Sequence, residues 1–333
     1  MYAGTVHVAI GGASYDESAV ARSLWGDELE LDDGPAKGSK LFLVDGNNLA
    51  YRAFYALPPE LATSRGEPTN ALLGFANMLF RMLIDYAPRA LVVTWDRRPH
   101  ERLAAHGEYK AGRKPMPDIL RTQFPHFAPL VTAFGFPNVS VEGWEADDVM
   151  ATLAARADAQ GIKTCVVSTD RDAFQVVTDH VTLMMTPRGV ADVLCYTPER
   201  VKARYGLTPS QIPDFIALKG DSSDNIPSVP GFGEKTAAEA LMKHGSVDDL
   251  IAAADSLPKA KRAALNQHAD QARANKVLST LRRDLEIDVD LHALIESSPD
   301  RSGLRAFCEH FEFKNILNRL ALLPGALPSQ APS

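Results

Sequence analysis

Short runs of consecutive apolar residues recur along this chain, and each is closed by an acid. Leu41-Phe42-Leu43-Val44 ends in Asp45. Ala90-Leu91-Val92-Val93-Thr94-Trp95 ends in Asp96. Cys165-Val166-Val167 ends in Ser168-Thr169-Asp170-Arg171-Asp172. Apolar runs without polar alternation suit strands covered on both faces, as in a parallel sheet. Between them the spacing turns helical. Residues 49–55 form one helix, which Asn47 or Asn48 can cap. Residues 69–86 form another, with Leu72, Phe75, Leu79, Met82 and Leu83 as its apolar positions and Pro88 to stop it. Strand, helix, strand, helix, strand predicts an α/β fold: a central, mostly parallel sheet flanked by helices, with right-handed crossovers. All three strand-end acids then lie on one edge, where open α/β sheets hold their ligands. The pattern also predicts a strand over 181–185 and helices over 198–205, 209–218, 236–244 and 255–283, then a helix pair within 304–323.

The chemistry concentrates in residues 141–175. Glu145, Asp147 and Asp148 open a helical segment about twenty residues before Asp170 and Asp172. A lone acid after a strand is ordinarily a helix cap or turn residue. Three of them, with an acidic triplet between, argue for more. Carboxylates about 5 Å apart repel by roughly 3 kcal/mol per pair at an effective dielectric near 20. A fold keeps such a cluster when divalent cations or a shared proton offset the repulsion. Asp221 and Asp224, at i and i+3, can add two carboxylates.

Basic residues follow the second strand-end acid. Residues 97–121 carry seven Lys/Arg against three Asp/Glu and include Tyr109-Lys110-Ala111-Gly112-Arg113-Lys114. A solvated connection is the bland account. Beside a metal cluster, a basic strip with an aromatic also suits an acidic polymer whose phosphate reaches the metals. Lys110 and Arg113, on one face if helical, could neutralise charge developing on that phosphate. Further on, Pro230-Gly231-Phe232-Gly233-Glu234-Lys235-Thr236-Ala237 has the form of a helix-hairpin-helix turn. Its bare glycines and helix N-terminus can present N–H groups to a duplex phosphate. A nucleotide-binding loop with Gly directly before Lys is excluded, because Glu234 intervenes. Lys259, Lys261, Arg262, Arg273, Lys276, Arg282 and Arg283 either line a second duplex contact or simply solvate a helix face.

Composition changes this picture little. The 333 residues carry a net charge of −7, which by itself argues weakly against nucleic acid. Setting aside the nine acids named above leaves 33 against 35 basic residues, so the remaining surface is near neutral. Cys165, Cys195 and Cys308 have no metal-ligand spacing and read as buried thiols. With no membrane-length apolar run and no secretory signal, a soluble cytoplasmic protein is expected. Residues 1–39 read as a disordered extension and 324–333 as a disordered tail. The body divides at about residue 220, into segments 40–220 and 221–323.

Together, LVDGNNLAYRAF, WEADD, STDRDAFQ and GDSSDNIPSVPGFGEKTA resemble, in order, the motifs of the bacterial and phage 5′ nuclease family: flap endonucleases and the 5′–3′ exonuclease domain of DNA polymerase I. The likeness extends over residues 40–323. It implies a metal-dependent nuclease core, a helical arch over about 97–123, and a helix-hairpin-helix module. By position, Asp45, Asp96, Glu145, Asp147 and Asp148 match a first metal site, and Asp170, Asp172, Asp221 and Asp224 a second. The reading leaves open whether Asp147 and Asp148 both ligate; on a helix, Glu145 and Asp148 share a face while Asp147 points elsewhere.

The resemblance further implies Lys110 and Arg113 as the arch residues assisting cleavage, Tyr109 stacking on a flap base, and Lys114, Gly231, Gly233, Lys235 and Thr236 as DNA contacts. Two Mg²⁺ or Mn²⁺ ions about 4 Å apart would clamp the scissile phosphodiester, one activating water and the other stabilising the leaving 3′ oxygen. The resemblance leaves room for a third ion, and for a potassium ion at the hairpin carbonyls near Val229. The expected substrate is duplex DNA with a 5′ flap, gap or nick. A polymerase and a ligase are functional partners, and the protein is expected to be a nucleoid-associated monomer. Relatives continue into a polymerase, so a stand-alone nuclease or a fragment is expected. The alternatives are a non-catalytic binder of branched DNA and an Asp-x-Asp phosphatase or phosphotransferase. Phe174 stands where the latter would place Thr or Val after Asp170-Arg171-Asp172.

Overall fold

A computed structural model of the chain describes residues 22–186 and 193–324. They form a six-stranded sheet: β1 (Leu41–Asp45), β2 (Ala90–Thr94), β3 (Asn138–Val139), β4 (Thr164–Val167), β5 (Val181–Met185) and β6 (Leu194–Tyr196). The order is β3-β2-β1-β4-β5-β6, parallel except for the antiparallel edge strand β6. The expected mostly parallel sheet is present. The brief β3 and the edge strand β6 escaped the sequence pattern: β3 has no uninterrupted apolar run, and the run Val193-Leu194-Cys195-Tyr196 that holds β6 is short and closed by no acid. Leu41 to Val44 and Leu91 to Val93 have no exposed surface. At about 1.5–3 kcal/mol for each fully buried large apolar side chain, these residues anchor the core.

The helices in chain order are α1 (Gly46–Ala56), α2 (Asn70–Tyr86), α3 (His100–Ala105), α4 (Asp118–Gln123), α5 (Phe127–Ala133), α6 (Ala146–Ala159), α7 (Pro198–Tyr205), α8 (Ile212–Lys219), α9 (Glu234–His244), α10 (Val247–Ala252), α11 (Lys259–Gln267), α12 (Ala269–Ser279), α13 (Leu291–Glu296), α14 (Leu304–His310) and α15 (Lys314–Leu317). The cap of α1 is Asp45, which accepts from the Asn48 N–H at 2.9 Å, rather than either asparagine. The asparagine side chains act elsewhere, as described below.

Two compact units emerge. The larger holds Leu31–His100, Met116–Pro198 and residues 281–324, hence the whole sheet. The C-terminal helices belong to this unit. Leu304, Cys308, Phe311, Phe313 and Ile316 share one apolar cluster with Phe42, Phe75 and Leu130. The smaller unit holds residues 22–30, Glu101–Pro115 and Glu199–Thr280. Its α8 and α12 are tied by Asn275, whose side-chain amide donates to the Ala217 carbonyl at 3.0 Å.

The expected disorder of residues 1–39 does not hold for 22–39; residues 1–21 lie outside the described residues, as do 325–333 of the expected tail. In the larger unit, Ala36 is fully buried, the Asp32 carbonyl accepts from Cys195 N–H, and Tyr86 donates its hydroxyl to Asp33 at 3.2 Å. In the smaller unit, Leu24 N–H donates to the Arg204 carbonyl at 2.9 Å.

Candidate metal centre

Each strand-end acid is held by a backbone N–H. Asp45 caps α1, Asp96 accepts from Ala146 N–H at 2.9 Å where α6 begins, and Asp170 accepts from Asp172 N–H at 2.9 Å. The bland account of such acids as caps therefore applies to all three, and capping is also what aims them. Asn47 and Asn48 tie the strand ends together. Asn47 Oδ1 accepts from Asp96 N–H at 3.0 Å, and the Asn48 amide donates to the Thr169 hydroxyl at 2.8 Å. Ser168 reaches Asp45 at 3.5 Å. Gly46 is required by its surroundings, since an added Cβ would lie 2.7 Å from the Trp95 ring and 2.8 Å from the Thr94 carbonyl oxygen.

Among the described residues, Glu145, Asp147 and Asp148 converge, each offering a carboxylate oxygen within 4.8 Å of the others. Asp147 does not point away. Glu145 is the N-cap of α6 with extended backbone (φ −89°, ψ 163°), so helical spacing does not govern the triplet. Asp148 is fully buried: one oxygen accepts from Arg282 N–H at 3.0 Å, the other from Glu145 N–H at 3.4 Å. Gln175 supports the same segment, accepting from Leu281 N–H at 2.9 Å, while the Arg282 guanidinium lies over the Trp144 ring. Nothing but their polarity marked Asn47, Asn48, Thr169, Gln175 and Arg282 as supports in the sequence. A cavity of about 390 Å³ flanks Asp96, lined by Trp95, Arg97, Phe124 and Phe127. Aromatic walls beside a guanidinium can receive a planar, anionic group.

The carboxylates of the smaller unit are arranged differently. Asp221 accepts from Ser223 N–H at 2.7 Å and from its hydroxyl at 2.6 Å. Asp224 is buried and surrounded by donors: Tyr109 hydroxyl at 2.9 Å, Arg113 at 2.6 Å and Lys110 at 3.4 Å. Burial pushes its carboxyl up, but the Lys110 and Arg113 charges and the Arg113 and Tyr109 hydrogen bonds outweigh that and hold it below the usual carboxylate range.

Residues 107–112 are consecutive turns, so the expected helical arch is broken at its centre, and Lys110 adopts φ +58°. Tyr109, expected to offer its face to a base, is 5% exposed and packs on Ile226 and Leu278. Lys114 is exposed. Gly231, at φ +86°, turns the chain into Gly233, the N-cap of α9. The Thr236 hydroxyl lies 3.1 and 3.2 Å from the Gly231 and Gly233 carbonyls, and Lys235 is exposed. The basic stretch beyond is largely paired internally: Lys276 with Asp214 at 2.8 Å, Arg273 with Asp248 at 3.0 Å, Arg262 with Asp255 at 3.5 Å, and Arg282 with Asp284 at 2.9 Å. Those pairs make a second duplex contact the weaker of its two readings.

DNA polymerase I of Bacillus caldotenax is 41% identical over 283 residues, covering 84% of this chain and 32% of the relative. The thermostable DNA polymerase I of Thermus thermophilus is 42% identical, covering 88% of this chain and 34% of the relative. The chain thus spans about a third of the length of the curated relatives it matches. Among solved structures, T5 5′-exonuclease with bound zinc superposes with a TM-score of 0.59 at 24% identity, covering 72% of this chain and 89% of that one. The catalytic core of Rad2 with a DNA substrate gives 0.54 at 15% identity, covering 85% and 93%. At that identity both show a shared fold. No helix among the described residues is long and apolar enough to cross a membrane. The family profile for the 5′-3′ exonuclease N-terminal, resolvase-like domain matches residues 40–206, the segment bearing the converging acids, and that for the C-terminal SAM fold matches residues 207–302; the chain belongs to the 5′-3′ exonuclease family.

Proposed function

We propose that the chain hydrolyses phosphodiesters in DNA with 5′ flaps or 5′ ends, as a divalent-metal-dependent 5′ nuclease acting in replication and repair. The observation that carries this reading is the convergence of Glu145, Asp147 and Asp148 within 4.8 Å, where α6 begins and its first N–H donates to the strand-end acid Asp96. The donor set is oxygen only, while the cysteines are buried elsewhere, which suits a hard cation such as Mg²⁺ or Mn²⁺. A divalent cation bound there lowers the pKa of water and neutralises charge developing on a phosphate.

We assign Glu145, Asp147 and Asp148, with Asp45 and Asp96, to a first ion, and Asp170 and Asp172 to a second. Asp221 and Asp224 are the acidic ligand candidates of the smaller unit. Lys110 and Arg113 neutralise the scissile phosphate, and exposed Lys114 holds the strand. Gly231, Gly233, Lys235 and Thr236 receive a duplex phosphate at the start of α9. The hairpin carbonyls beside Thr236 are where a potassium ion would bind. Such contacts read backbone and junction shape rather than base sequence. A monomer working at the nucleoid, on products left by a polymerase and before a ligase, fits this chemistry.

The test is single-turnover cleavage of a 5′-labelled flap duplex with Mg²⁺, with EDTA, and by Asp147→Asn. Release of the flap near its junction, lost in EDTA and in the variant, is the expected result. Tight binding without cleavage in Mg²⁺ and Mn²⁺ alike would make the protein a binder of branched DNA and sink the nuclease reading.

A further inference from the structure

Two segments of the smaller unit, residues 106–113 and 221–226, grip each other. Lys110 N–H donates to the Asp224 carbonyl at 3.1 Å, and the Asn225 side-chain amide donates to the Glu108 carbonyl at 2.9 Å. The His106 ring lies 3.2 Å from the Asn225 carbonyl. Tyr109, inserted between them, packs on Ile226, Leu278 and Leu103. At the centre both Asp224 oxygens are engaged, one by Arg113, the other by the Tyr109 hydroxyl and Lys110. The Lys110 ammonium also lies 4.9 Å from the Tyr109 ring centroid, a cation–π distance.

These contacts hold two residues where a Cβ is disfavoured: Lys110 at φ +58° and Asn225 at φ +59°. The Asp224 carboxylate is the one group that engages Tyr109, Lys110 and Arg113 together, so the segment loosens when that carboxylate changes partner. A divalent cation at Asp224 would claim oxygen lone pairs now facing Tyr109 and Arg113. It would also repel the ammonium and guanidinium within a few ångströms.

We propose that Tyr109, Lys110 and Arg113 form a latch on Asp224 that competes with divalent metal, so that loading Asp224 releases the segment and both cations. Tyr109 is then a positioning residue acting through Asp224, not a base-stacking one. The proposal rests on Asp224 being a metal ligand. It couples two requirements of the chemistry: the cations meant for the phosphate become available only once metal is in place.

Hydrogen exchange of the full chain, without DNA, tests it. In EDTA the Lys110 amide, which donates to the Asp224 carbonyl, should be protected; Mn²⁺ titration should speed its exchange roughly tenfold as that hydrogen bond is lost. Tyr109→Phe, which keeps the ring, should exchange fast even in EDTA and bind Mn²⁺ several-fold more tightly by calorimetry. Asp224→Asn should exchange fast with or without metal. Unchanged exchange at saturating Mn²⁺, or weaker Mn²⁺ binding by Tyr109→Phe, would overturn the latch. Absence of any Mn²⁺ binding would overturn both the latch and the metal assignment. Because no DNA is present, failure to cleave flaps in a chain whose latch opens would sink only the nuclease reading; cleavage with a latch indifferent to metal would sink only the latch.

Discussion

Asp147 and Asp148 are adjacent in sequence and alike in charge, yet the structure predicts opposite weights for them in stability. Replacing either with Ala relieves similar like-charge repulsion, because all three acids of the triplet lie within 4.8 Å. At an effective dielectric near 20 that repulsion is about 3 kcal/mol per pair, and it largely cancels when the two variants are compared. What remains is hydrogen bonding. Asp147 accepts from Asp148 N–H, at a partly buried position. Asp148 accepts from Arg282 N–H and Glu145 N–H while fully buried. A buried donor left without its acceptor costs about 1–3 kcal/mol. In EDTA, Asp148→Ala should therefore be less stable than Asp147→Ala by about 2 kcal/mol. At about 2.1 cal/mol/K of unfolding entropy per residue, a chain of 333 residues shifts by roughly 1.4 °C per kcal/mol, so the thermal midpoints should differ by about 3 °C. Thermal unfolding followed by tryptophan fluorescence reads this, since Trp144 directly precedes the triplet. Asp147→Ala melting at or below Asp148→Ala would refute the argument that Asp148 is the anchor of this helix start.

Three further predictions follow from particular contacts. Gly46→Ala should cost about 1–3 kcal/mol, because the Trp95 ring and the Thr94 carbonyl occupy the space of its Cβ. Gly107→Ala, with nothing within 4 Å, serves as its control, and equal melting of the two would remove the steric argument. Lys110→Ala and Arg113→Ala should each lower single-turnover flap cleavage about a hundredfold while metal still binds; wild-type rates in both would exclude them from the chemistry. Burial pushes the Cys308 thiol up to about 12 and Cys165 higher than usual. A raised folded value means their contribution to stability is complete below the unfolded thiol value of about 8.5, and declines as pH rises from there toward the folded value. The urea midpoint should accordingly fall between pH 8.5 and 10.5 (about two units), less so in Cys308→Ala; an identical fall in both would show that this thiol contributes nothing.

Much of the larger unit was legible because its strands are buried on both faces and thus spelled as unbroken apolar runs. β1, β2, β4 and β5 were read as strands, whereas β3 pairs through only two residues, and the short run at β6, Val193 to Tyr196, ends in no acid that would have drawn attention to it. The strand-end acids were legible for the same reason. A parallel sheet carries successive strand ends to one edge, so chain order alone implied their proximity. Their supports were not. Asn48 meets Thr169, and Asp148 meets the Arg282 N–H, 121 and 134 residues away. A polar residue does not announce so distant a partner.

The sequence by itself determined the class of fold, the family and the identity of the acids, because buried strands, capped helices and a glycine-rich hairpin follow from local pattern. Tertiary structure alone decided which acid anchors and which is presented, and that residues 22–39 pack where a disordered extension was expected. It also decided that Tyr109, Lys110 and Arg113 serve Asp224 here rather than stand as an open basic strip. The reason is common to all three. A charge is placed by the donors that surround it, and in a buried carboxylate those donors come from segments distant in the chain.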